Sequence, residues 1–364
     1  MADLERLLVR QNKSLKSLHL SDCGLTDPNM FQVLTTLNNL QELNISQNIM
    51  SDNVGVQFMA VLPNLANLTN LDISRCNFGP LTMKALEDSR FCDNGIYPQN
   101  KCLAVVSASF NKLQSIGVNH LTAALCQRTS TSLLTLKLQQ VDISENDHNH
   151  CVRALHRLMS LKNARLAELD LSNNPLTARM NWIAQGINDS IHLHTLRLNK
   201  CSLTTDSLTE ITNVLQFSQS LTCLELSDNI LGKSGADLIA QVLQKRHKLQ
   251  QLKLNNCGLT SVGILTILRA CSGQNVNFNV TRLELENNCD VDFSRLKYGD
   301  RNLTDAFSKL NSTLVYLELS KNGINDEDVR NALKQSWEEI HGKEQLSIFI
   351  SNVSLRFIKK PRKN

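Results

Sequence analysis

The sequence predicts an α/β solenoid, with a parallel β-sheet on the concave side of a horseshoe and helices on its convex side. Three observations carry that prediction. A segment with leucines at fixed spacing recurs eleven times along the 364 residues. One place in the segment holds Asn or Cys in ten of the eleven copies. Between the copies lie amphipathic stretches whose apolar residues recur at helical period.

The copy "LTCLELSDNIL", from Leu221, shows the grammar: Leu221, Leu224, Leu226 and Leu231 are apolar and Asn229 stands between the last two. Leu224 and Leu226 are two apart, so they face one side of a short strand while Cys223, Glu225 and Ser227 face the other. Clear copies begin at Leu15, Leu40, Leu68, Leu166, Leu193, Leu221, Leu249 and Leu314, and weaker ones at Leu103, Leu133 and Val280. One such strand cannot bury its apolar face alone, whereas neighbours stacked in parallel build a continuous aliphatic core. The Asn or Cys marks where the chain leaves the strand, and a carboxamide there can satisfy turn groups that would otherwise be buried and unpaired. Asn229→Leu is therefore expected to cost roughly 1–3 kcal/mol. "SLTEITNVLQ" (207–216), "SGADLIAQVLQ" (234–244) and "VGILTILRAC" (262–271) supply the helices.

Copies from Leu193, Leu221 and Leu249 start 28 residues apart, and the fixed place runs Cys23, Asn48, Cys76, Asn111, Val141, Asn174, Cys201, Asn229, Cys257, Asn288, Asn322. Val141 is out of pattern. This repeat length with alternating Cys and Asn resembles the ribonuclease-inhibitor-like subclass of leucine-rich repeat proteins over nearly the whole chain. The resemblance implies the horseshoe and a binding function. Members include enzyme inhibitors, sensor regions of nucleotide-binding immune receptors, activators of the small GTPase Ran, and the C-terminal arrays of Tonsoku-like replication-repair scaffolds. The basic end "IKKPRKN" departs from the acidic tail of the Ran activators.

Aromatics are only 4% of the residues, so the core has to be aliphatic. A net charge of +4 is too small for a chain built to coat nucleic acid. Eleven cysteines, an N-terminus "MADLERLLVR" unlike a signal peptide, and no long apolar run imply reduced thiols in the cytoplasm or nucleus and no membrane span. The expected organisation is a cap helix at 1–14, about eleven repeats over 15–345, a capping strand at 346–358 and a basic tail at 359–364. The thin first cap implies a monomer or a part of a longer chain.

Gly232-Lys233-Ser234 has the ending of a phosphate-binding loop, but the first glycine such a loop needs is replaced by Ser227. The triplet reads as the turn between strand and helix, and no cofactor is expected. His148, His150 and Cys151, with Cys126 or His156 as a further ligand, have metal-ligand chemistry, yet there is only one compact cluster rather than paired spacing from two segments, so no metal site is expected. No nucleophile elbow or isolated carboxylate pair points to an enzyme. Repeat lengths swell at 87–102, 144–151 and 289–302, which read as tolerated insertions or binding loops.

The central outward position of each strand reads His19, Asn44, Asp72, Ser107, Lys137, Asp170, Arg197, Glu225, Lys253, Glu284, Glu318. Charges alternate from Lys137 to Glu284, including Arg197 and Lys253, so neighbours can pair laterally. Beyond them Glu284, Glu286 and Glu318 read as an unpaired acidic patch beside Tyr316, and Phe110 as an outward aromatic of the fourth strand. The function expected is a non-enzymatic scaffold gripping a protein partner on this face. The alternatives are a regulator of another enzyme, GTPase-activator-like or inhibitor-like, or the C-terminal array of a larger receptor-like or Tonsoku-like chain. Nucleic acid is expected, if anywhere, only at the basic tail.

Overall fold

The computed structural model describes residues 6, 8, 10, 14–89, 102–126, 132–143, 150–161, 164–176, 180–288, 303–342 and 354–359, and residues 346–350 by their backbone. Most of the expected cap helix, the middle of all three insertions, His148 and residues 360–364 lie outside them. The chain forms two compact units, Met1–Leu193 and His194–Asn364.

In the first unit six three-residue strands lie parallel and in chain order: β1 (Ser17–His19), β2 (Glu42–Asn44), β3 (Asn70–Asp72), β4 (Val105–Ser107), β5 (Thr135–Lys137) and β6 (Glu168–Asp170). Each is followed by a helix: α1 (Asn29–Leu34), α2 (Asp52–Val61), α3 (Pro80–Asp88), α4 (Gln114–Leu125), α5 (His150–Ser160) and α6 (Met180–Asp189). The second unit repeats the pattern with β7 (Thr195–Arg197), β8 (Cys223–Glu225), β9 (Gln251–Lys253), β10 (Arg282–Glu284) and β11 (Tyr316–Glu318). Its helices are α7 (Thr205–Leu215), α8 (Gly232–Gln244), α9 (Thr260–Ala270), α10 (Leu303–Ser308) and α11 (Glu327–His341). The leucine between the two outward residues of each strand lies in file with its neighbours, as in Leu196–Leu224–Leu252–Leu283–Leu317, and all five are buried.

Adjacent repeats are tied by the fixed Asn. Asn229 Oδ1 accepts the amides of Cys201 and Leu203 at 2.9 and 3.0 Å, and its Nδ2 donates to the carbonyls of Leu198 and Leu226 at 2.8 and 2.7 Å. Asn48 and Asn111 do the same one repeat back, and Asn322 bridges Leu285 and Leu319. Cysteine fills the alternate copies with one weaker donor: Cys76 Sγ gives to Ile45 O at 3.2 Å and Cys257 Sγ to Leu226 O at 3.3 Å. Burial pushes both thiols up to about 12, so they stay protonated and keep that donor. Val141 is not a break in the series. It stands in a cysteine slot and donates its amide to Asn174 Oδ1 at 2.9 Å, a bond that any residue's backbone can make.

A second regularity had no sequence signal. The residue before the fixed place has positive φ, between +47° and +62°, in all eleven copies, and none of them is glycine: Asp22, Gln47, Arg75, Phe110, Gln140, Asn173, Lys200, Asp228, Asn256, Asn287 and Lys321. Each such conformation costs about 1–2 kcal/mol in a non-glycine residue. The turn offsets this by aiming the amide at the next repeat, as in Gln47 N to Ser74 O at 2.8 Å and Lys200 N to Ser227 O at 2.8 Å.

The last segment corrects an expectation. In place of one capping strand at 346–358 there are two, β12 (Leu346–Ile350) and β13 (Leu355–Lys359), paired antiparallel, with β13 also antiparallel to β11. Lys359 belongs to β13 and gives its amide to Val315 O at 2.8 Å, so it is not part of a tail. The alternating apolar residues were legible, but only the neighbouring β11 could show which stretch pairs with the open sheet edge. Phe357 seats against Phe307 (4.9 Å between ring centroids) and Trp337 (5.4 Å), and the His341 ring packs tilted against Trp337 at 4.3 Å.

Asn229→Leu orphans the buried Cys201 and Leu203 amides and the Leu198 carbonyl and leaves Leu226 O only the thiol of Cys257, so its cost should exceed about 3 kcal/mol, above the sequence-based figure; urea unfolding against the parent reads it. Burial, with the charge of Lys359, pushes the His341 imidazole from 6.5 down to about 4. Its folded pKa lies below its unfolded one, so the unfolded chain takes the proton first. The stability it contributes is complete above pH 6.5 and is lost as pH falls toward about 4, at no more than ~1.4 kcal/mol per pH unit. Urea midpoints at pH 7 and pH 5 should differ less in His341→Gln than in the parent.

Candidate functional site

The expected outward row exists. In the first unit His19, Asn44, Asp72, Ser107, Lys137 and Asp170 are lateral neighbours, and in the second so are Arg197, Glu225, Lys253, Glu284 and Glu318. The two units use it differently.

In the second unit the row is a bonded network. Glu225 lies between two cations, with Arg197 Nε at 3.2 Å and Lys253 Nζ at 2.9 Å, and Asn199 Nδ2 donates to its other oxygen at 3.0 Å. Burial alone would raise its pKa, but the bonds from Lys253 and Asn199 and the two charges outweigh it and hold the carboxyl below the usual range. Glu284 takes Arg282 Nε at 2.7 Å and Asn255 Nδ2 at 3.0 Å, and Glu286 takes Lys321 Nζ at 2.8 Å. Glu318 is ion-paired with Arg356 of β13, accepts from Ser320, and takes the Tyr316 hydroxyl at 3.1 Å.

Glu284, Glu286 and Glu318 are therefore not the unpaired acidic patch that the sequence suggested. The carboxylates form the floor and the cations stand above them: Glu318 is 3% exposed and Arg356 46%, Glu284 12% and Arg282 39%. Arg356 was out of reach of the sequence reading, since it enters by the antiparallel strand. Tyr316 is half-buried under the guanidinium of Arg282, 3.8 Å above its ring centroid, and offers a partner less apolar area than expected. Phe110 is not on a strand; it is the positive-φ residue of the turn after β4, with Arg75 stacked 4.0 Å over its ring.

In the first unit the same face carries small polar groups. Ser21 and Ser46 hydroxyls meet at 2.9 Å and those of Ser74 and Ser107 at 2.7 Å. A depression of about 210 Å³ opens among His19, Glu42, Asn70, Asp72, Ser107 and Lys137.

Gly232-Lys233-Ser234 opens α8. Gly232 has φ +62°, and the Leu231 and Gly232 amides are both given to Cys257 O, at 3.0 and 3.2 Å, so they are turned to the next repeat rather than to a phosphate. Cys126 and His156 both line a groove on the helix side, but Cys151 is buried and His156 is bonded to Asp189 at 3.0 Å. Burial pushes the Cys126 thiol up to about 11 against the pull of Arg157. Among the described residues no set of three or more His, Cys, Asp or Glu gathers as metal ligands, and no helix is long and apolar enough to cross a membrane.

The family model described as "Leucine Rich repeat" matches residues 11–28, 217–240 and 310–331. The human NACHT, LRR and PYD domains-containing protein 5 is 30% identical over 282 residues, 74% of this chain and 22% of that protein. The mouse ribonuclease inhibitor is 27% identical over 283 residues, 76% of this chain and 58% of the inhibitor. Together with the alternating Asn and Cys ties, these decide the family. This chain is a leucine-rich repeat protein of the ribonuclease-inhibitor-like type. It spans less than two thirds of either relative. Among solved structures, a leucine-rich repeat-containing protein from Legionella pneumophila is 15% identical, covering 92% of this chain and 94% of that one at a TM-score of 0.46.

For this leucine-rich repeat chain, Lys233→Ala should leave the thermal midpoint unchanged with or without ATP or GTP. A nucleotide-dependent rise in the parent that the variant lacks would overturn the turn assignment.

Proposed function

We propose that this chain is a non-enzymatic protein-interaction module, and that the open sheet face of its second unit receives the partner. A leucine-rich repeat array is a protein-interaction scaffold in general. The finer reading rests on one observation: Arg197, Lys253, Arg282, Lys321 and Arg356 are each ion-paired to a carboxylate less exposed than the cation itself. Side chains fixed by such a floor lose little rotamer entropy on binding, which favours a preorganised surface. Tyr316, Glu284, Glu286 and Glu318 then act mainly by holding those cations, and the partner meets a mixed face whose outer layer is positive. A second reading, in which the module blocks another protein's active surface, is supported by the likeness to ribonuclease inhibitors. The free thiols of Cys76, Cys126, Cys223, Cys257 and Cys271 support a reducing, intracellular setting.

The test places a photo-crosslinking residue at Gln251 on the sheet face or at Lys245 on the helix side, both exposed, and identifies adducts by mass spectrometry. Protein adducts from Gln251 that Lys245 does not give are expected. Lys321→Glu should then slow association with the captured protein several-fold and reduce its salt dependence. Adducts to nucleic acid alone, or the same proteins from both positions, would overturn the reading.

A further inference from the structure

On the helix side of the first unit a groove of about 600 Å³ runs between α4 and α5 and ends at Trp182 of α6. Its α4 wall is low, built from Asn119, Thr122 and Ala123, while α5 contributes Arg153 and Arg157. These arginines are four residues apart and so share one helix face. Both are exposed, and among the described residues neither has a carboxylate partner. The carboxylates nearby are committed elsewhere: Asp189 to His156 at 3.0 Å, and Glu87 to His120 at 2.6 Å. The Arg153 guanidinium lies 5.0 Å from the Trp182 ring centroid.

Two guanidiniums with no carboxylate partner among the described residues, on one wall of a groove with an aromatic end, make an anion-binding surface distinct from the sheet face. We infer that this groove binds an extended acidic segment of a protein partner, with carboxylates at alternate positions. The spacing selects that occupant. Arg153 and Arg157 are one turn apart, about 6 Å along the helix axis. Side chains on one face of an extended peptide repeat at roughly 6.5 Å, so residues i and i+2 each bring a carboxylate to one guanidinium. Each arginine can then make two parallel N–H···O bonds, which a lysine in the same place would not. The low α4 wall leaves room for the peptide backbone, and Trp182 at the groove's end, under Arg153, reports on its occupancy.

The probe is a fluorescein-labelled peptide of alternating Glu and Ala, compared with one of the same composition whose glutamates are contiguous. Anisotropy should show saturable binding of the alternating peptide that weakens with salt, and several-fold weaker binding of the contiguous one. Trp182 emission should change with it, and Trp182→Phe should abolish that change while Trp337 remains. Arg153→Gln and Arg157→Gln lie on an exposed helix face, and each should weaken binding about tenfold with the melting temperature held. Arg157→Lys should restore only part. The chain itself carries Glu145 and Asp147 two residues apart, so the titration is repeated on the double variant Glu145→Gln, Asp147→Asn. Binding by either protein supports the inference. Absence of binding in both, equal binding after Arg157→Gln, or tighter binding of a short single-stranded oligonucleotide than of the peptide overturns it. None of these outcomes bears on the sheet face of the second unit.

Discussion

The structure depends on one buried carboxamide per pair of repeats. A three-residue strand has few backbone bonds of its own, and the turn that follows it drives amides and carbonyls into an apolar interior. Leaving those groups unpaired would cost about 1–3 kcal/mol each. Asn229, with its two amides accepted and two carbonyls bonded across the Leu198–Leu231 region, removes that cost and joins two repeats at once. A thiol can make only the single weaker bond, which is why Cys suits the alternate copies, where the neighbour's Asn already takes the amides. Regular stacking of the aliphatic core is a consequence of this tie, and so is the uniform left-handed turn residue before it.

Regular stacking also governs the charges. Once strands lie in register, outward residues become lateral neighbours whether or not a partner is present. In the second unit they have become part of the fold: Glu225 needs Arg197 and Lys253, and Glu318 needs Arg356. Carboxylates with short stems sink to the sheet, and the longer Arg and Lys side chains reach over them with their charged ends in water. An acidic row in the sequence thus becomes a cationic surface in space. The same row in the first unit is short and polar, and leaves a shallow depression instead.

The repeat grammar leaves some surface residues uncommitted. The leucines, the fixed Asn and Cys, and much of the outward row are spoken for by stacking. Helix faces are constrained only on the side that meets the core, so α5 can hold Arg153 and Arg157 with no carboxylate partner among the described residues. A chain of this kind can present two surfaces of unlike construction, one ordered by the sheet and one by the spacing of a helix turn.

The sequence by itself determined the repeat, its strand and helix, the identity of the core and the lateral order of the outward residues. These depend on spacing along the chain, and periods of two and 3.6 residues are visible in a string of letters. It also placed Asn229 correctly, since a polar residue recurring among leucines has few other uses. What only the tertiary structure decided depends on neighbours distant in sequence. Arg356 reaches Glu318 because β13 returns antiparallel beside β11. Arg282 covers Tyr316, and the left-handed residues show no common side chain from Asp22 to Lys321 because the requirement falls on their backbone. The sign of a charged surface is fixed by which side chains are buried and which reach past them, and burial is set by the packing of the whole unit, not by the order of residues within a repeat.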